Sequence, residues 1–158
     1  MGNNGSHTPV YVVLGATGLL GSSVSRRLAG SDARLVLAGR DTLKLERLSD
    51  ELNAPAISLD ASRLDHVEAA LEQMRRSVGR LDGVVNCVGT APDPRPITEV
   101  SAKEWTEHVD QNLTSAFATV RAAVQVMRET GGAVVLVAAW AARVGVANQE
   151  AFSAVKAG

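Results

Sequence analysis

"VYVVLGATGLLGSSVSRRLAG", residues 10–30, decides how the rest of the chain is read. Val10–Leu14 is a short apolar run rich in β-branched residues, the signature of a buried strand. Gly15 ends it. Helical spacing then takes over at Leu20, Val24 and Leu28, and Gly30 is a natural stop. A strand, a glycine-rich turn and a helix therefore follow one another within 21 residues.

The same alternation repeats outward from this unit. "ARLVLAGR" (33–40) predicts a second strand and "DTLKLERLSDEL" (41–52) a second helix with Leu45, Leu48 and Leu52 on one face. "AISLD" (56–60) predicts a third strand. "SRLDHVEAALEQMRRSV" (62–78) predicts a third helix, opened by a Ser62/Asp65 capping pattern. "LDGVVNCVG" (81–89) is a fourth strand and "TAPDPRPIT" (90–98) a proline-broken loop. Residues 101–131 begin with a second capping pair, Ser101 and Glu104, and are long enough for one helix or two in line. "GGAVVLVAA" (131–139) is a fifth strand, and a last helix is expected from Asn148. The strands are continuous apolar runs rather than alternating ones. That pattern belongs to a parallel sheet covered by helices on both faces, an α/β fold.

At 158 residues the chain suits one domain, and 46% hydrophobic residues suffice for its core. Aromatics are only 3%, so that core is built from Ala, Val and Leu. A net charge of −1 gives no electrostatic reason to expect nucleic acid or an anionic membrane. No apolar run is long enough to span a bilayer. Cys87 is the one cysteine, which fits a reducing, cytoplasmic setting and leaves no intrachain disulfide. Residues 1–9 are polar, Gly-rich and unpatterned; they read as a disordered lead-in, partly a cloning remnant, in which His7 has no role. No internal repeat appears, and residues 10–158 form one unit.

The turn "GATGLLG" carries the first chemical signal. Gly15, Gly18 and Gly21 are spaced three apart between strand and helix. In that setting Gly15 takes the tight turn, Gly18 lets backbone approach a phosphate, and Gly21 lets the helix pack on the strand. The N–H groups of the helix start then face a pyrophosphate. An ordinary strand–helix turn would also use glycine, but the position favours a dinucleotide. The next strand ends in "AGRD". An acid at its end would bind the ribose hydroxyls of NAD, whereas Arg40 suits the 2′-phosphate of NADP. Asp41 beside it complicates this, and a solvated surface arginine is the plainer alternative. NADP is expected over NAD.

Several stretches in order, "GATGLLG", "AGR", "SLDAS", "NCVG", "QNLTSAF", "GGAVVLVAAWAARVG" and "AFSAVKAG", resemble the short-chain dehydrogenase/reductase family over nearly the whole chain. The resemblance implies a Rossmann-type doubly wound sheet that stops short of the family's last third. It implies hydride transfer between a nicotinamide and a small carbonyl or alcohol. It places Gly15, Thr17, Gly18, Leu19, Leu20, Gly21, Arg40, Asp60, Ala61, Asn86, Gly89 and Lys156 along the cofactor, and Asn112 in a proton path. It also exposes two departures. The family's catalytic serine position holds Ala139, and its tyrosine position holds Phe152, one turn from Lys156. A phenyl ring has no proton to give, and a methyl group cannot polarise a carbonyl.

No other residue replaces the phenol on spacing alone. Asn148 and Gln149 share its expected helix face but are not acids. Cys87 is read as packing, and Trp105 and Trp140 as packing too, with Trp140 placed to line a pocket. His66 and His108 are read as solvated, with no metal-ligand partners. Three readings stay open: an NADP-dependent oxidoreductase, an NADP-binding module or sensor without turnover, and a fragment completed by a missing C-terminal part or a partner. Family members often pair through the long helix and the last helix, of which only the first is complete here, so a homo-oligomer stays open. Self-association is expected from the fifth strand, a sheet edge with little helix to cover it.

Overall fold

The computed structural model describes residues 7–158. Within the expected lead-in, residues 1–6 lie outside the described residues. His7 hydrogen-bonds Asp82 at 2.9 Å and the Pro9 carbonyl accepts from the Arg34 N–H. Five strands, β1 (Val10–Leu14), β2 (Arg34–Gly39), β3 (Ala56–Ser58), β4 (Gly83–Asn86) and β5 (Ala133–Leu136), form one parallel sheet in the order β3-β2-β1-β4-β5. The helices are α1 (Leu19–Ala29), α2 (Thr42–Leu52), α3 (Leu64–Val78), α4 (Ala102–His108), α5 (Ser115–Met127) and α6 (Glu150–Ala157). Strand order reverses between β1 and β4, which opens a crevice at their carboxyl ends.

The unbroken apolar runs have their explanation in two cores. Val10, Val12 and Leu14 of β1 face one side, where they meet Val67, Leu71 and Met74 of α3 and Ala118 and Ala122 of α5. Val13 faces the other side, among Leu35, Leu37, Leu45 and Leu48. Each Val, Leu or Met among them contributes about 1.5–3 kcal/mol when fully buried. Helix α1 approaches the sheet through Gly21 and Ser25, both buried, with Val24 and Leu28 packed against the second core beside them. Leu20 is instead turned outward, 47% exposed, toward the crevice.

Several local expectations are corrected. Ser62 does not cap α3: its N–H and hydroxyl both go to Asp60 Oδ1 at 3.1 and 2.8 Å, and Asp65 pairs with Arg63. The aspartate two residues earlier closes a local turn that outcompetes the cap. The Ser101/Glu104 capping box forms as read. Strands β3, β4 and β5 are each shorter than their apolar runs, because pairing stops where the sheet edge or the crevice begins. Helix α6 begins at Glu150. Asn148 sits at φ 63° in a left-handed turn, so Asn148 and Gln149 share no helical face with Phe152. Between α4 and α5 the chain continues as a π-helix over Val109–Thr114.

Strand β5 is a sheet edge, with Val135 50% and Leu136 44% exposed. Leu136 continues into a groove of about 430 Å³ with Phe117 and Val120. An apolar, unpaired edge is a template for association. The 158-residue polypeptide is therefore expected to self-associate, its sedimentation-average mass rising with concentration. A monomer over a wide concentration range would show this edge to be inert.

Candidate cofactor and active site

The loops after β1, β2, β3 and β4 meet over the crevice. Gly15 takes φ +72°, and a Cβ there would lie 2.9 Å from the Val88 nitrogen, so only glycine fits. Gly18 is the N-cap of α1 and no side chain caps the helix, which leaves first-turn N–H groups at the edge of the crevice. Two cavities open here. The first, about 190 Å³, is lined by Gly15, Thr17, Gly18, Arg40, Asp41, Leu59, Ala61, Gln111 and the segment Cys87–Thr90. The second, about 280 Å³, is lined by Gly18, Leu19, Leu20, Cys87–Ala91, Val137–Ala139, Phe152 and Lys156. They share Gly18 and Cys87–Thr90, so one trough runs from Arg40 to Lys156 across the helix N-terminus. An extended dinucleotide, with a charged pyrophosphate at its centre, fits that shape.

Polar anchoring is clearest at the Lys156 end. Lys156 Nζ donates to the Val137 carbonyl at 3.2 Å, and burial pushes its pKa below the usual lysine value. Asn112 is buried within the π-helix. Its amide nitrogen donates to the carbonyls of His108 and Thr90 at 3.1 and 3.3 Å, while its Oδ1 is buried with no protein partner. A Cβ on Gly89 would lie 2.8 Å from Asn112 Oδ1 and 2.9 Å from Lys156 Nζ. The two polar groups thus flank one bare stretch of backbone. That arrangement sets a cation in the trough wall and a buried, unpaired acceptor just behind it.

Three comparisons bear on this site. A family model described as Enoyl-(Acyl carrier protein) reductase matches residues 15–158. A 3β-hydroxysteroid dehydrogenase of Mediterraneibacter gnavus is 29% identical over 152 residues, 93% of this chain and 55% of that protein. An uncharacterised oxidoreductase of Mycobacterium tuberculosis is 34% identical over 148 residues, 90% of this chain and 54% of that protein. A solved short-chain dehydrogenase/reductase from Mycobacterium ulcerans superposes with a TM-score of 0.89 at 26% identity, covering 94% of this chain and 57% of that one. An actinorhodin polyketide ketoreductase variant solved with NADPH also gives 0.89 at 26% identity, covering 96% and 60%.

The chain belongs to the short-chain dehydrogenase/reductase family. It is a family of oxidoreductases that bind nicotinamide cofactors, and its Rossmann-type sheet is the one found here. The chain spans about half the length of the curated relatives it matches.

Within this dehydrogenase/reductase frame, the expected site residues divide into three groups. Gly15, Thr17, Gly18, Leu19, Leu20, Arg40, Ala61, Gly89 and Lys156 line the trough, and so do Ala139 and Phe152. Gly21, Asn86 and Asn112 lie behind it and shape it. Asn86 is buried; it donates to the Ser115 carbonyl and Thr119 Oγ1 and accepts from the Val88 N–H at 2.8 Å, which fixes the turn after β4. Asp60 stands just outside, its carboxylate taken up by Ser62 and its pKa held below the usual value by that contact against the cost of burial. Among the described residues no cluster suited to a metal ion occurs.

Three single-residue readings change. His108 is not solvated: it is buried, neither ring nitrogen has a partner, and it lines a small separate cavity with Phe152. It packs there because α6 lies against α4, a tertiary contact with no local sequence signal. It does not line the trough, whereas Phe152 lines both the trough and that small cavity. Trp105 and Trp140 are 43% and 73% exposed and pack into neither core; Trp140 lines none of the cavities described. Cys87 behaves as read: it packs against the α1–α2 core and burial raises its thiol pKa, which opposes a nucleophilic role. Gln111, which the sequence reading passed over, enters the trough beside Arg40.

Proposed function

We propose that this domain binds NADP in the trough and belongs to a cytoplasmic oxidoreductase of small carbonyl or alcohol substrates. The observation that carries the reading is the single channel from Arg40 past the helix N-terminus to Lys156. The bound nicotinamide would supply the hydride. The chain's own part is to hold it. The Gly15–Gly21 turn presents backbone N–H groups to the pyrophosphate, Arg40 offers a cation to the 2′-phosphate, and Lys156 faces the nicotinamide ribose. Asn112 keeps a buried acceptor beside Lys156, where a water would find partners.

The proton is the weak step. Phe152 and Ala139 line the nicotinamide end without a hydroxyl between them. Positioned acid–base groups are worth about 10²–10⁴ in rate. A domain that holds cofactor with little turnover is the second reading, and these two residues favour it.

The cofactor claim is tested by fluorescence titration. NADPH is expected to bind more tightly than NADH. Arg40→Ala should weaken NADPH by about tenfold or more, the worth of a charge-assisted hydrogen bond, and leave NADH nearly unchanged. Equal affinities in wild type would remove NADP from the account.

A further inference from the structure

We propose that Gln111 is a positioning residue for cofactor choice: it holds the Arg40 side chain at the adenosine end of the trough through a neutral hydrogen bond. The inference rests on the NADP reading above and extends it to a residue on a different element.

Arg40 Nη2 donates to Gln111 Oε1 at 3.3 Å, across 71 residues of sequence, and both side chains line the same cavity. The π-helix accounts for the placement. A wider turn sets two successive residues to different tasks. Asn112 turns inward to the Thr90 and His108 carbonyls, and Gln111 enters the adenosine cavity. Ser115 Oγ donates to the Gln111 carbonyl at 2.7 Å and fixes the backbone that carries it.

The neutrality of the partner matters. A carboxylate at this place would hold Arg40 more firmly and cancel the charge a phosphate needs. The two nearby carboxylates are engaged elsewhere. Asp41 caps α2 through the Lys44 N–H at 3.1 Å and pairs with Lys44 Nζ at 3.1 Å. Asp60 Oδ1 holds Ser62, and Arg40 reaches it only as a distant field. Among the described residues Arg40 enters no salt bridge, and its hydrogen bond goes to the amide. A guanidinium has five N–H donors, so one bond to Gln111 leaves an edge free to grip a phosphate in bidentate fashion. Arginine is also flexible, and a side chain already tethered loses less freedom when it meets its ligand.

The test measures NADPH and NADH affinities for wild type, Arg40→Ala, Gln111→Leu, Gln111→Glu and the Arg40→Ala/Gln111→Leu double variant, with thermal melts run in parallel. Gln111→Leu is expected to weaken NADPH by about three- to tenfold, the range of one neutral hydrogen bond, with NADH changed less than about twofold. It should add almost nothing to Arg40→Ala, since both remove one device. Gln111→Glu should lower the NADPH:NADH preference further than Gln111→Leu, because it pairs with the cation. Equal weakening of both cofactors by Gln111→Leu would make Gln111 a packing residue and overturn the proposal. So would additivity with Arg40→Ala, or no effect at all. If Arg40→Ala itself leaves NADPH binding intact, the NADP reading fails and this one with it. If Arg40→Ala costs NADPH and Gln111→Leu does not, only this one fails.

Discussion

Phe152→Tyr combined with Ala139→Ser is expected to raise carbonyl-dependent NADPH oxidation by about 10²-fold or more over wild type, measured on the full natural chain. That gain corresponds to about 2.7 kcal/mol of transition-state stabilisation. The surroundings for a phenol are already built. Phe152 lines the cavity proposed to take the nicotinamide, and Lys156 stands one helical turn away. Its ammonium would favour the ionised phenol and lower its pKa. Asn112 remains beside Lys156 with a free acceptor. Ala139 lies in extended backbone at φ −123° on the same wall, so a serine there is conformationally neutral. A double variant that binds NADPH normally yet stays as slow as wild type would show that the site lacks more than its acid. A wild type already as fast as the variant would show that another group supplies the proton.

The second large effect is on stability. Gly21→Ala is expected to cost about 3 kcal/mol, the upper end of core overpacking, and to lower the melting temperature by about 6–12 °C. A Cβ on Gly21 would lie 2.0 Å from the Gly15 carbonyl oxygen and 2.8 Å from its carbon. Both are backbone atoms of the tight turn, so neither side can yield without opening the crevice. Gly18→Ala is the control. Its Cβ would meet only the Gly15 oxygen, at 3.4 Å, so the fold should tolerate it within about 1 kcal/mol. Thermal melts by circular dichroism separate the two. If Gly21→Ala melts with wild type, the turn is looser than described.

The contrast between these glycines shows what sequence can and cannot convey. Three glycines at equal spacing mark the turn, and the spacing assigns Gly21 to helix packing. The apolar runs at 10–14 and 33–40 likewise identify buried parallel strands, because both faces of such a strand meet a core. Where tertiary contact decides, the sequence is silent. His108 sits between Glu107 and Val109 as a surface histidine would, yet α6 packs over it. Gln111 is one more polar residue of a long helix until the π-helix turns it toward Arg40. Ser62 reads as a cap because the competing acceptor, Asp60, is two residues upstream and outside the pattern. Leu20 reads as core by the same period as Val24 and Leu28, but the close approach at Gly21 and Ser25 centres the packed face past it and leaves Leu20 to the crevice.

The central claim is that the trough holds a dinucleotide although the acid is absent. Isothermal titration of NADPH into wild-type protein tests it most directly. The account predicts a saturable isotherm with one site per chain, obtained without any added substrate. No measurable heat and no saturation, from a protein that melts cooperatively, would contradict it.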